Sequence, residues 1–492
     1  MSPWYSNSLA MQITPYLTVT YISRQSLESL ASGKIRVKIT RSFRFGRAFL
    51  HAVYSCQWLA LFTAKVGGTS AGKVPATFWG WRKILAMISR SAAIPVATRL
   101  SGFVYAIRNI VAEARKVEAA GRRVRYLNIG DPNAFGFKTP PHMIEAVERA
   151  MRDGHNGYAP SVGILSAREA VAGECIQRGM PMNPDRVVVT SGTSEGIELA
   201  LTALAGPGDD VLIPVPTYPL YTAVLAKIGA RAVFYRTDPS RGWQPDIDHV
   251  RSLVSASTRA IVVIDPNNPT GASYSDEARR ALVDIADRHN VPVLADEVYA
   301  DLAFDGPVGA LAAVNPSAPV ITFSSLSKAY LAPGWRMGWL AVAQTERLDE
   351  VLAGIRKLAD GRLCSNGPME YALVAALTGD RSHQGAFREA LRQRSAVTHD
   401  RLNAIDGISC VAPTAAFYAM PKVSLPAGKT DEDYVLSLLR ATGVLCVYGS
   451  GFGTAPQDGY FRVVFLASPA ELTDIYASIG EFTRDYLARA SR

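Results

Sequence analysis

The sequence has few cysteines and no long apolar run, and each scarcity excludes a class of protein. Its five cysteines stand singly among 492 residues, and none forms a Cys-x-x-Cys pair. This pattern is typical of a reducing compartment and argues against a disulfide framework or a structural zinc site, so we expect a cytoplasmic protein without a bound metal. No stretch of about 18 uninterrupted apolar residues occurs, and we therefore expect no membrane span and no membrane partner.

Acidic residues are nearly missing from the first 98 positions. This extension has twelve Lys or Arg residues and one acid, Glu28, whereas the rest of the chain has 40 basic and 42 acidic residues. The net charge of +9 therefore arises from the extension. Because the body of the protein is not basic, we expect no nucleic-acid partner.

The extension also lacks a sustained apolar period, so we expect residues 1–98 to be disordered, with little packed structure. Three explanations of it stay open: an organellar transit peptide, a basic tail that touches membrane or nucleic acid, or translation that starts later, for example at Met87. The third is preferred, because transit peptides are usually shorter and more amphipathic and because the basic residues here are dispersed.

From about residue 99 onward, apolar runs alternate with amphipathic helical patterns, and 48% hydrophobic content is enough for a large core. Short β-branched runs predict buried strands at 187–190, 210–216, 260–265, 291–296 and 320–323, and helices are predicted at 194–204 and 275–289. This alternation predicts an α/β fold with a mainly parallel sheet between helices and with functional residues at the carboxyl ends of the strands.

The flanking segments predict a second, smaller α/β domain. We expect residues 99–140 and 355–492 to form it, with a last strand at 460–466, beside a large domain of residues 141–354. Two or more domains also suit the length of the chain.

Lys328 lies in a hydroxyl-rich turn after the strand at 320–323, together with Ser325 and Ser327, and Arg336 follows eight residues later. A lysine amine is nucleophilic only when deprotonated, and a nearby cation and desolvation both favour that form. The turn therefore indicates imine chemistry at Lys328. The alternative, an exposed lysine on a connecting loop, is disfavoured by three motifs upstream that could supply the rest of such a site.

The Thr-Ser-Gly-Thr-Ser-Glu-Gly stretch at 190–196 closes a strand and opens a helix. Backbone amides, the helix dipole and the hydroxyls of Thr193 and Ser194 would converge there on an anion, although an ordinary helix cap would have the same sequence.

In the next motif, Pro-Val-Pro-Thr-Tyr-Pro-Leu-Tyr at 214–221, Tyr218 stands at a strand end where it could stack on an aromatic ring or simply pack against the core.

Two further strand ends carry polar groups. Asn268, in the turn Asp-Pro-Asn-Asn-Pro-Thr-Gly at 265–271, is held rigidly enough to donate to a phenolate oxygen. Asp296, in Ala-Asp-Glu-Val-Tyr at 295–299, ends an apolar strand, and a buried carboxylate needs a partner. A protonated pyridine nitrogen would be such a partner and would keep its ring electron-withdrawing. Tyr299 lies close enough in sequence to bond the oxygen of the same ring.

These motifs, in this order, resemble the class I and II aminotransferases of the fold-type I pyridoxal phosphate enzymes, over roughly residues 100–488. The resemblance implies a fold-type I transferase, pyridoxal 5'-phosphate as cofactor, and a homodimer. It makes Lys328 the Schiff-base lysine and proton shuttle, and Asp296 the partner of the pyridinium nitrogen. It assigns the remaining cofactor contacts to Asn268 and Tyr299 at the ring oxygen, Tyr218 on the ring face, Thr193, Ser194, Ser325 and Arg336 at the phosphate, and Tyr158 at the phosphate of the partner subunit.

The resemblance also implies substrate contacts. Arg462, in Gly-Tyr-Phe-Arg-Val-Val-Phe at 459–465, would grip the α-carboxylate in a bidentate pair, and Gly130 would close over the same group. The stretches at 105–110, 128–137, 217–221 and 362–366 look most like the alanine aminotransferase branch. There Tyr105 and Arg108 would leave room for a methyl side chain, and Arg108 would meet a distal carboxylate or else pair with a surface acid.

The implied reaction is a ping-pong transfer of an amino group between an L-amino acid, alanine, and a 2-oxo acid, 2-oxoglutarate. Ala415, in Pro-Thr-Ala-Ala-Phe-Tyr at 413–418, departs from the family at a position that is commonly glycine, which weakens the assignment to alanine, and an aspartate or broad-specificity aminotransferase stays open. A pyridoxal phosphate lyase or decarboxylating synthase would share every cofactor residue. A cofactor-binding transcriptional regulator would need an N-terminal winged helix-turn-helix, and residues 1–98 lack the helical periodicity for one.

Overall fold

The computed structural model describes residues 11–13, 17–19, 95–99 and 106–490, with the side chains of 11–13, 17–19, 106–109 and 490 excepted. The chain divides into two compact units, residues 1–94 and 95–492. In the first unit, strands β1 (Met11–Ile13) and β2 (Leu17–Val19) pair antiparallel. Apart from these strands and residues 95–98, the disorder expected over residues 1–98 concerns positions outside the described residues.

An eight-stranded sheet forms the centre of the described part of the second unit. Its strands in spatial order are β4 (Val187–Thr190), β11 (Gly338–Val342), β10 (Val320–Ser325), β9 (Val293–Asp296), β8 (Thr258–Ile264), β5 (Asp210–Val215), β6 (Arg231–Asp238) and β7 (Gln244–Pro245). The run from β10 to β6 is parallel, whereas β11 is antiparallel to both of its neighbours and β7 to β6. The predicted mainly parallel sheet is therefore confirmed.

Helices connect these strands and flank the sheet. The described helices are α1 (Ala106–Ala119), α2 (Pro141–Arg152), α3 (Leu165–Gln177), α4 (Thr193–Leu204), α5 (Leu220–Ile228), α6 (Ile247–Leu253), α7 (Asp276–His289), α8 (Asp349–Gly361), α9 (Gly367–Thr378), α10 (Ser382–Asn403), α11 (Asp431–Thr442) and α12 (Pro469–Ala490). Helix α7 shows how local sequence sets the boundaries: Ser275 caps its first turn, and Asn290 ends it in the left-handed conformation. Among the described helices, none has the length and apolar content to cross a membrane.

Three smaller sheets lie in the described parts of the two flanking segments. Strand β13 (Tyr418–Ala419), β17 (Phe461–Val464) and β16 (Val447–Tyr448) form one, β3 (Arg125–Tyr126) pairs with β15 (Val444–Leu445), and β12 (Ile408–Ser409) pairs with β14 (Lys422–Val423). The strand expected at 460–466 is thus β17. The pairing of β3 with β15 is what the expected smaller domain requires, although the domain boundaries themselves remain a prediction.

The register of the large sheet aligns the ends of its strands. Asp296 lies opposite Phe323 and Ile264, while Gly338 lies between Thr190 and Ser325. Because parallel strands end at the same edge of a sheet, the turns that follow β4, β8, β9 and β10 open on one side. Most of the predicted cofactor-binding residues are in or next to these turns: Thr193, Ser194, Asn268, Asp296, Tyr299, Ser325, Lys328 and Arg336.

Candidate active site

A cavity of about 490 Å³ lies at this edge of the sheet. It is lined by most of the residues that the sequence predicted, together with Ser327, which the lysine turn also contains. The predicted residues in its lining are Gly130, Thr193, Ser194, Tyr218, Asn268, Asp296, Tyr299, Ser325, Lys328, Arg336 and Arg462. The large sheet and the smaller three-stranded sheet both contribute to the cavity wall.

Lys328 extends from the turn after β10 into this cavity. Its Nζ donates a hydrogen bond to the carbonyl oxygen of Gly130, at 2.9 Å. The same nitrogen lies 5.4 Å from the centre of the Phe417 ring and 5.9 Å from that of Tyr299. The amine is therefore half-buried beside aromatic rings, and partial removal from water favours the deprotonated, nucleophilic form of a lysine.

Asp296, at the end of β9, is 3% exposed. Its Oδ2 accepts a hydrogen bond from the Tyr221 hydroxyl at 3.2 Å, whereas its buried Oδ1 has no hydrogen-bond partner in the described part of the chain. Burial raises the pKa of the Asp296 carboxyl to about 6, and the Tyr221 hydrogen bond opposes that rise. One oxygen of this carboxylate is thus available to a cationic partner.

The opposite end of the cavity suits an anion. Helix α4 begins at Thr193, directly after Gly192 in the left-handed region, and the buried Oγ1 of Thr193 has no hydrogen-bond partner among the described residues. Arg336 donates to the carbonyl oxygens of Ser191 and Pro333, and its guanidinium fills the space that a Cβ at Gly192 would need. A helix N-terminus, a hydroxyl and a guanidinium therefore converge here.

Arg462 approaches from β17 and is 2% exposed. Its Nη1 donates to Oδ1 of Asn268 at 2.9 Å, and its Nη2 donates to the carbonyl oxygen of Asn128. Its Cζ lies 4.7 Å from the ring centres of both Tyr418 and Phe452. Since Oδ1 of Asn268 already accepts from Arg462, the amide nitrogen is the part of Asn268 that can donate to another group.

Sequence reasoning missed two tyrosines of the site. Tyr221 ends a quoted motif, yet only the fold shows that its hydroxyl meets Asp296, 75 residues away. Tyr418 lines the cavity, and its hydroxyl lies 2.8 Å from that of Tyr299, 119 residues away. Burial raises the pKa of Tyr299 well above its ordinary value, so this hydroxyl keeps its proton. The sequence feature that could have indicated Tyr418 is its position three residues after Ala415, which the resemblance already singles out.

Three predicted residues are not placed at the cavity. Tyr158 is 86% exposed and is absent from the cavity lining, so its predicted role concerns a second subunit. Tyr105 lies outside the described residues. Arg108 lies in α1, but its side chain is outside the description. The roles assigned to all three stay predictions.

The sequence matches the family model "Aminotransferase class I and II" over residues 123–479. The chain belongs to this family. The aminotransferase is 37% identical over 401 residues to the glutamate-pyruvate aminotransferase AlaA of Haemophilus influenzae, and the match covers 80% of this chain and 98% of the relative. It is 38% identical over 407 residues to the alanine aminotransferase of Mycobacterium tuberculosis, covering 81% of this chain and 94% of the relative.

A solved structure has the same fold. The alanine aminotransferase of Pyrococcus furiosus superposes on this aminotransferase with a TM-score of 0.77 at 38% identity, over 80% of this chain and all of the other. The resemblance to class I and II aminotransferases and the expected fold-type I transferase fold are therefore confirmed.

Proposed function

We propose that this aminotransferase uses pyridoxal 5'-phosphate and moves an amino group between L-alanine and 2-oxoglutarate by a ping-pong mechanism, as a homodimer. One observation carries the proposal: Lys328, the partly bonded carboxylate of Asp296, the anion end of the cavity and Arg462 all line a single space. Each of these groups suits a different part of the cofactor or substrate.

The chain's own residues fit the cofactor at three places. The Oδ1 atom of Asp296 would bind the protonated ring nitrogen, because it is buried without a partner in the described residues. Thr193 and Arg336, at the start of α4, would bind the phosphate. Lys328 would bond to the aldehyde. When bound, the cofactor would supply an electron sink for the carbanion that forms at the substrate Cα.

The protein would then supply binding and proton movement. Nζ of Lys328 would carry the proton that leaves the substrate Cα. Asp296 would keep a proton on the ring nitrogen, since the carboxyl, with its pKa of about 6, is largely ionised at neutral pH. Asn268 and Tyr299 would hold the ring oxygen with their donors, and Tyr218 would stack on the ring.

Arg462 supports the assignment of α-amino acids as substrates. Its guanidinium is buried between two aromatic rings, where a bidentate contact with a carboxylate gains strength from the exclusion of water. The choice of alanine rests on the names of the relatives and on the similarity of the stretches that contain Tyr105 and Arg108 to the alanine branch.

The test is a panel of alanine, aspartate, glutamate and tyrosine against pyruvate and 2-oxoglutarate, with product analysis. We expect alanine with 2-oxoglutarate to give the highest kcat/KM and no product to accumulate catalytically without an acceptor. Equal kcat/KM for aspartate would establish the broad-specificity alternative. Ammonia and pyruvate formed from a single amino acid would establish a lyase.

A further inference from the structure

Tyr418 contacts three parts of the site at once. It is 2% exposed, and its hydroxyl lies 2.8 Å from the hydroxyl of Tyr299. The face of its ring lies 4.7 Å from Cζ of Arg462. The hydroxyl also occupies the space that a side chain on Gly130 would need, and the carbonyl of Gly130 accepts the hydrogen bond from Lys328.

We propose that Tyr418 is a positioning residue that couples the cofactor pocket to the carboxylate clamp. Its hydroxyl directs the Tyr299 proton into the cavity, and its ring holds the guanidinium of Arg462 in the plane that a carboxylate needs. This inference rests on the proposed function and adds to it a residue that acts on the binding of both the cofactor and the substrate carboxylate.

The hydroxyl acts through the single proton of Tyr299. That proton can point to Tyr418 or into the cavity that Tyr299 lines. If the Tyr418 hydroxyl donates to the Tyr299 oxygen, the Tyr299 proton is directed into the cavity, towards the ring oxygen of the bound cofactor. Successive hydrogen bonds of this kind polarise one another, so Tyr299 becomes the better donor.

The ring acts on Arg462 from one side. Tyr418 and Phe452 lie at equal distances from Cζ, while Asn268 and Asn128 accept hydrogen bonds from the two terminal nitrogens. A desolvated guanidinium is attracted to the face of an aromatic ring, and this attraction favours one orientation of Arg462. Removal of the Tyr418 ring therefore leaves Arg462 hydrogen-bonded but free to tilt.

Two variants separate the hydroxyl from the ring. Tyr418→Phe removes only the hydroxyl, whereas Tyr418→Leu removes both. The matched control is Tyr434→Phe, because the Tyr434 hydroxyl makes an equally short buried bond, 2.8 Å to Oγ1 of Thr483, away from the cavity lining. The readouts are the pH midpoint of the visible absorbance of the bound cofactor and the Kd of propionate, a carboxylate without an amino group.

Tyr418→Phe should raise the pH midpoint by about 0.2–0.5 unit, because a weaker donor leaves the ring oxygen a stronger base. Its propionate Kd should stay within about twofold of the wild type. Tyr418→Leu should show the same spectral shift and bind propionate roughly threefold or more weakly. Tyr434→Phe should change neither readout.

A wild-type midpoint in Tyr418→Phe would overturn the action of the hydroxyl, and this variant tests it even if Tyr418→Leu does not fold. Equal propionate affinity in a folded Tyr418→Leu would overturn the action of the ring. Failure of the proposed function gives a different result. In that case the wild-type protein shows no cofactor absorbance that depends on Lys328, and the residue at position 418 makes no difference.

Discussion

Burial of the Asp296 carboxyl affects the stability of the protein without its cofactor. The folded state raises the carboxyl pKa from 3.8 to about 6. The folded state therefore binds this proton more tightly than the unfolded state does. The resulting stabilisation is complete below about pH 4 and is lost as the pH rises through about 6, a change on the order of 3 kcal/mol.

We predict that Asp296→Asn removes much of this pH dependence. Urea unfolding of the cofactor-free protein at pH 4.5 and 7.5 should show a decline in the free energy of unfolding that is smaller in the variant by about 2 kcal/mol. Asp284→Asn, which replaces an exposed aspartate, is the control. A variant with the decline of the wild type would contradict the assigned surroundings of Asp296.

The same variant should behave differently once loaded. An asparagine cannot keep the ring nitrogen protonated, but the phosphate contacts remain, so Asp296→Asn should lose far more in the rate of proton transfer than in cofactor affinity. Stopped-flow spectra of the alanine half-reaction measure the first, and a cofactor titration measures the second. An unchanged half-reaction rate would show that Asp296 is not the pyridinium partner.

Arg462 and Arg108 should differ in substrate dependence. We predict that Arg462→Leu impairs the alanine and glutamate half-reactions alike, because both substrates have an α-carboxylate. Arg108→Leu should impair glutamate and 2-oxoglutarate selectively, roughly tenfold or more, since a charge-assisted contact is worth ~1.5–3 kcal/mol. Equal losses for alanine and glutamate in Arg108→Leu would make Arg108 structural and weaken the choice of the substrate pair.

At the scale of single elements, the N-terminus of α4 differs from an ordinary helix start. Thr193 has a hydroxyl without a partner among the described residues, whereas Ser275 uses its hydroxyl to cap α7 through the amide of Ala278, at 3.1 Å. The first hydroxyl is thus available to a ligand, and the second already stabilises its helix.

We predict opposite outcomes for these two hydroxyls. Thr193→Val should leave the stability of the cofactor-free protein within about 0.5 kcal/mol and weaken cofactor binding about tenfold or more, because a hydrogen bond to a charged group is lost. Ser275→Ala should cost about 1 kcal/mol of stability and leave cofactor affinity unchanged. Thermal unfolding and cofactor titration distinguish them, and normal cofactor affinity in Thr193→Val would rule out its phosphate contact.

Single elements were easier to predict than their contacts. Strand β4 and the end of β9 at Asp296 follow from short β-branched runs that end in polar turns. Strand β11 was missed, because its residues directly follow the Arg336 turn and were interpreted as part of that motif. The hydrogen bond of Tyr221 to Asp296 depends on how distant strands align, and no local pattern records that alignment.

At the scale of the whole molecule, the exposure of Tyr158 supports a second subunit. Its loop is anchored on the carboxyl side of Tyr158: Ser161 donates to Asp360 at 2.5 Å, and the amide of Ile164 donates to the buried Glu370 at 2.6 Å. An aromatic side chain that is 86% exposed on an anchored loop suits an interface better than open solvent. The proposed homodimer would place it at the neighbouring phosphate.

Subunit mixing tests this arrangement. Tyr158→Phe and Lys328→Ala subunits, allowed to exchange, should form hybrid dimers in which one site has both lesions and the other has neither. Activity should rise above the sum of the two parent proteins as exchange proceeds. Exchange demonstrated by mass without any rise in activity would show that Tyr158 does not act across subunits.

Borohydride reduction tests the proposed covalent bond between Lys328 and the cofactor. The loaded protein is reduced, digested and mapped by mass spectrometry, with the exposed Lys422 as an internal comparison. We expect a pyridoxyl group on the peptide that contains Lys328, and no such adduct in Lys328→Ala. A reduced adduct on another lysine, with Lys328 unmodified, would contradict it.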